Sequence, residues 1–101
     1  MSELSARIEI TNPTGLHARP AVKLTKLAKT FPAAAVQVAL AEAGPWIDAK
    51  SVVKVMAMKA ARGTAMHFRA SGEQAQVAID ALVDLVRRDF DEGHAGADAT
   101  T

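Results

Sequence analysis

Apolar and polar residues alternate from Ala6 to Ile10, the period of a strand with one buried face. Asn12-Pro13-Thr14-Gly15 is turn chemistry. From His17 to about Lys29 the period lengthens to that of a helix. Ala21, Leu24, Ala28 and Phe31 recur on one face, Lys23, Lys26 and Lys29 lie on a polar side, and Pro32 stops the run. Alternation returns at Val36, Val38 and Leu40. Ala43-Gly44-Pro45 turns the chain, and Trp46-Ile47-Asp48 suffices only for a short edge strand. Ser51 to Met58 predicts a short helix with Val52, Val55 and Met56 on its apolar side, broken at Ala61-Arg62-Gly63. Met66, Phe68 and Ala70 alternate with His67 and Arg69 in a further strand. In the last helix Ser71 and Gln74 have capping-box spacing, Glu73 is expected in the first turn, and Arg87 and Arg88 oppose the dipole near the end. Ala75, Ile79, Leu82 and Val86 form its buried stripe. Periodicity ceases at Gly93, which predicts a frayed tail.

The order β-α-β-β-α-β-α predicts an α+β fold: one antiparallel sheet, helices on one face, solvent on the other, in a split βαβ topology. A chain of 101 residues is one domain, expected over residues 1–92 with a tail at 93–101. Cysteine is absent, which excludes disulfides and thiolate metal sites, and three scattered histidines without carboxylate spacing argue against any metal centre. Twelve Lys and Arg against eleven Asp and Glu leave a net charge of +1, which argues against general nucleic-acid binding unless charge is segregated on one face. RNA-recognition domains share a β-α-β-β-α-β order. They need aromatics on the open sheet face, and Phe68 belongs to the inward set. No apolar run can span a bilayer, and the first residues lack the basic and apolar regions of a signal peptide, so the expected compartment is the cytoplasm, with no membrane insertion.

Thr14-Gly15-Leu16-His17-Ala18-Arg19-Pro20 carries the candidate chemistry. It puts a histidine where a turn enters a helix, and the unpaired N–H groups of a first helical turn attract anions. Gly15 permits a sharp entry, Pro20 fits a first turn, and Arg19 adds a fixed cation. A histidine titrates near 6.5 when unperturbed, so a neutral ring nitrogen is available to attack phosphorus. Beside an anion site and an arginine, such an imidazole suits the acceptance of a phosphoryl group. The bland alternative for any lone histidine at a helix start is a surface or capping residue.

Asn12-Pro13-Thr14-Gly15-Leu16-His17-Ala18-Arg19-Pro20-Ala21 resembles the active-centre signature of the HPr family, the histidine-containing phosphocarriers of the phosphoenolpyruvate:sugar phosphotransferase system. Ala49-Lys50-Ser51-Val52-Val53-Lys54-Val55-Met56 resembles its regulatory-serine segment, and residues 5 to about 90 match the family domain in order and spacing. The resemblance implies an open-faced β-sandwich, with a four-stranded antiparallel sheet under three helices. It implies a relay rather than a stand-alone enzyme, without a cofactor, in which His17 is phosphorylated on Nδ1 by enzyme I and passes the group to a IIA-type protein. It assigns Arg19 as the active-site arginine and Thr14, Ala18 and Arg19 as phosphate contacts. Ser51 matches the serine that an HPr kinase/phosphorylase modifies in some bacteria, and a monomer is expected. Related branches serve sugar uptake, nitrogen regulation and dihydroxyacetone phosphorylation. Lys59 stands where the family often has a glycine after the regulatory helix, and Gly44-Pro45-Trp46 makes an unusual hairpin.

Ser51 is also a favoured helix N-cap, a structural role independent of modification. In the family fold Val52, Val53 and Met56 approach His17, where they are expected to form a docking patch rimmed by Lys26, Lys29 and Lys54. The bland alternatives are core filler for Met56 and Met58 and a solvated helix face for the lysines. His67 is expected to face solvent from its strand, and His94 falls in the tail.

Overall fold

The computed structural model describes residues 3–11, 13 and 15–91. Strands β1 (Leu4–Glu9), β2 (Ala35–Ala39), β3 (Ile47–Asp48) and β4 (Ala65–Ser71) form one antiparallel sheet in the order β1-β4-β2-β3. Helices α1 (Ala18–Lys29), α2 (Val52–Ala57) and α3 (Ala75–Arg87) complete the α+β fold expected from the element order, as the open-faced sandwich that the resemblance implies. Strand β4 pairs with β1 on one side and β2 on the other, and its burial alternates strictly. Met66, Phe68 and Ala70 are buried, while Ala65, His67, Arg69 and Ser71 are half-buried on the other face. Phe68 lies opposite Ala6 on one side and Val38 on the other. Leu24 of α1 and Leu82 and Val86 of α3 are fully buried with it. Each such side chain contributes about 1.5–3 kcal/mol relative to leaving it in water.

The open face carries polar pairs set by the register. Arg7 faces His67, and Arg69 faces Gln37, whose Oε1 accepts from Arg69 Nε at 2.6 Å. The Arg69 guanidinium also lies 4.3 Å from the Trp46 ring centroid. His67 is thus on the open face as expected, but half-buried rather than solvated. Trp46 itself lies outside the short edge strand, which begins at Ile47.

The start of α3 departs from the expected capping box. Ser71 remains in the sheet, paired with Ala35, and Gln74 is the N-cap without a side-chain capping bond. Glu73 falls ahead of the N-cap and outside the first turn. The physical reason is the turn at Gly72 (φ +105°), where a Cβ would come within 2.3 Å of the Ala33 carbonyl oxygen. So close an approach aims Gln74 at Ala33 instead. Its N–H donates to Ala33 O at 3.3 Å, and its Oε1 accepts from Ala33 N–H at 2.8 Å. Arg87 and Arg88 do lie at the helix end, paired with Asp84. The hydrogen bond to Asp91, with Asp84 adding to it, raises Arg88 above the usual arginine value.

Helix α2 lies within the Ser51–Met58 span that the spacing predicts. Met58 is its C-cap, and Lys59 takes the left-handed conformation (φ +53°) in which helices usually place glycine. Beyond α3 the chain makes a left-handed turn over Asp89–Asp91, with φ of 56°, 58° and 59°. Phe90 enters the core there with 0% exposure, a core residue that the helical stripe ending at Val86 did not disclose. The residues expected to form a tail, with His94, lie outside the described ones.

Candidate functional site

His17 is the N-cap of α1 in extended backbone (φ −108°, ψ −158°), and its side chain makes no capping bond to the helix. Its carbonyl accepts the first helical hydrogen bond, from Ala21 N–H at 3.0 Å. Ala18 and Arg19 therefore occupy the first turn, where backbone N–H groups precede the helical ladder, and Pro20 has no N–H to leave unsatisfied. His17, Ala18 and Arg19 are all exposed, whereas Leu16, Pro20 and Ala21 are buried and anchor the helix start. No acidic residue occurs in this first turn to compete for an anion.

The loop before His17 is held by close packing rather than by its own turn chemistry. Gly15 (φ +70°) sits where a Cβ would come within 2.7 Å of Ala60 O, and Leu16 N–H donates to that same carbonyl at 2.8 Å. The segment that follows α2 thus forms the floor beneath the histidine loop. Thr14, an expected phosphate contact, lies outside the described residues.

Helices α1 and α2 pack against each other. Ser51 caps α2, its hydroxyl accepting from Lys54 N–H at 3.4 Å, so the capping role is observed directly. Val53 is 73% exposed and Met56 40%, against 0% for Val55 on the inner face. Met56 was assigned by spacing to the apolar side of this helix, yet it faces out. Val52 is half-buried and packs on the core, while Lys54, Lys26 and Lys29 are exposed.

Spacing places Lys23 only on the polar side of α1 and gives Val22 no role, yet both stand beside Arg19. Val22, 41% exposed, and Lys23 line a shallow depression of about 360 Å³ with Ala18, Arg19 and Lys26. Their positions three and four residues after Arg19 were the available signal. Acidic residues are missing from 10–41 and from 49–72, the stretches that supply α1, α2 and the histidine loop. The near-neutral total therefore conceals a segregated charge. Among the described residues no cluster of His, Asp and Glu could hold a metal ion, and no helix is long and apolar enough to cross a membrane.

A family model described as the PTS HPr component phosphorylation site matches residues 4–88. The phosphocarrier protein HPr of Pseudomonas putida is 44% identical over 87 residues, covering 85% of this chain and 93% of that protein. The phosphocarrier protein NPr of Escherichia coli is 37% identical over 86 residues, with 84% and 92% covered. The HPr of Thermoanaerobacter tengcongensis superposes with a TM-score of 0.77 at 36% identity, covering 91% of this chain and 98% of that one. HPr from that organism has also been solved as a dimer. Sequence and fold agree over the whole described domain: the chain belongs to the HPr family of phosphocarrier proteins.

Proposed function

We propose that His17 is the phosphoryl acceptor of this carrier, loaded by phosphorylated enzyme I and unloaded onto a IIA-type protein. The observation that carries this reading is the exposed imidazole at the N-cap of α1, unused for capping and two residues from Arg19. In loading, Nδ1 supplies the electron pair for a new N–P bond while the bond from phosphorus to the donor breaks. Unloading reverses the roles. The first turn of α1 stabilises the dianionic group through its N–H dipoles, a contribution of about 0.3–1 kcal/mol at an exposed site. That is enough to orient the phosphate and too little to trap it. Arg19 supplies the charge-assisted contact, Ala18 its backbone N–H in the first turn, and Thr14 the polar contact that the resemblance implies.

Val52, Val53 and Met56 form the apolar centre of the docking surface, rimmed by Lys26, Lys29 and Lys54. Both transfers use it in turn, on a cytoplasmic monomer. Ser51 at the head of α2 gives a second level of control: a phosphate placed there by an HPr kinase/phosphorylase meets the partner's surface. The 37% identity to an NPr phosphocarrier supports a regulatory branch as the alternative to sugar uptake. Incubation with phosphoenolpyruvate and enzyme I should yield one acid-labile, alkali-stable phosphoryl group. If His17→Ala acquires it at the normal rate, His17 is not the acceptor.

A further inference from the structure

The histidine loop is fastened at both ends by residues far away in sequence. Its downstream end is fixed by the Leu16 N–H bond to Ala60 O. Its upstream end is Thr11, whose hydroxyl donates a hydrogen bond to the Asp89 carboxylate across 78 residues of chain. Asp89 is 7% exposed and belongs to the left-handed turn in which Phe90 is fully buried. The same turn holds α1, since Lys23 Nζ donates to the Phe90 carbonyl at 2.9 Å. Both the strand end that enters the loop and the helix that leaves it are therefore tied to one C-terminal turn.

We infer that Asp89 is a positioning residue for phosphoryl transfer, acting through Thr11 to hold the histidine loop in register with α1. The inference rests on His17 being the acceptor. Asp89 touches no reacting atom in this account. It sets where the imidazole stands relative to Arg19 and the first turn of α1. An in-line transfer tolerates little displacement, and an error of about 1 Å at a reacting group can cost up to roughly a hundredfold in rate. The backbone geometry fits an aspartate in this role. Asp and Asn adopt positive φ more readily than other side chains, so the turn and the bond to Thr11 are satisfied by one residue.

The test is the steady-state phosphorylation of the full chain by enzyme I and phosphoenolpyruvate, with variants on both sides of the bond. Thr11 is exposed, so Thr11→Val removes the donor without opening a core cavity. Thr11→Val and Asp89→Ala should each lower the maximal rate about tenfold with KM for this protein unchanged, since the exposed patch on α2 is not altered. Asp89→Asn retains a carbonyl acceptor and the turn, and should recover most of the rate. The double variant Thr11→Val/Asp89→Ala should be no slower than the worse single variant, because Asp89→Ala already removes the bond that Thr11→Val removes. A normal maximal rate in Thr11→Val overturns the inference whether or not Asp89→Ala folds. A loss expressed wholly in KM overturns it too, because that would be a docking effect. Phosphorylation persisting in His17→Ala would remove the acceptor assignment itself, a failure separate from either of these.

Discussion

Lys59→Gly should stabilise the protein, although it deletes a side chain and introduces the least helix-compatible small residue. Lys59 follows the C-cap of α2 with φ +53°, is exposed, and its N–H donates to Met56 O at 3.1 Å. An L-residue in the left-handed region carries a steric cost of about 1–2 kcal/mol that glycine does not. Glycine gives back about 0.5–1 kcal/mol through the greater freedom of the unfolded chain. The difference leaves a gain of about 0–1.5 kcal/mol, and at about 4–8 °C per kcal/mol for a domain near this size the middle of that range raises Tm by about 3–6 °C. Calorimetry on the wild type, Lys59→Gly and Lys59→Ala separates the causes. Alanine removes the same charge and keeps the steric cost, so it should show no comparable gain. If glycine melts no higher than alanine, positive φ is not what Lys59 costs this helix end.

Arg19→Ala should melt as wild type and slow phosphoryl transfer by about one to two orders of magnitude, the loss of a charge-assisted contact of roughly 1.5–3 kcal/mol; stopped-flow or quench kinetics at matched concentration decide it. A wild-type rate in a folded variant would take Arg19 out of the site. Ser51→Asp should leave the fold intact, because aspartate also caps helices, while weakening acceptance from enzyme I through its negative charge beside Val53 and Lys54. The loss should be larger at low ionic strength, and transfer that is normal there would put Ser51 outside the interface.

The elements were legible where periodicity was strong and the ends were isolated by turn residues. Leu24, Val38, Phe68, Leu82 and Val86 all occupy the core positions their spacing implied. Local pattern failed where a distant segment decided the outcome. Ser71 and Gln74 have the spacing of a capping box, but the contact between Gly72 and Ala33 keeps Ser71 in the sheet and turns Gln74 toward the α1–β2 connection. Phe90 is four residues beyond Val86, in step with the stripe, but the helix ends at Arg87 and it is the left-handed turn that carries Phe90 inward. The histidine loop was legible as turn, histidine and arginine because those residues are consecutive. Its fastening to Ala60 and Asp89 was not, since neither partner is marked by any local sequence signal.

Charge arrangement and patch size together constrain how such a carrier works. Arg19, Lys23, Lys26 and Lys29 of α1 and Lys50, Lys54, Lys59 and Arg62 around α2 fall in stretches without a single acid, while Asp84 and Asp91 at the end of α3 are paired with Arg87 and Arg88. A field of this kind speeds encounter with an acidic partner, and does so most at low salt. The apolar surface offered beside it is small: Val53, Met56 and Val22 are the large exposed side chains of α1 and α2. Interfaces at the small end of the range belong to transient complexes. On the proposed reading this is a functional requirement. One surface must admit a donor, release it charged, and then admit an acceptor. An apolar patch large enough to bind the first partner tightly would slow the second transfer by raising the barrier to dissociation. Rapid electrostatic encounter with weak apolar burial lets both steps proceed on the same few residues.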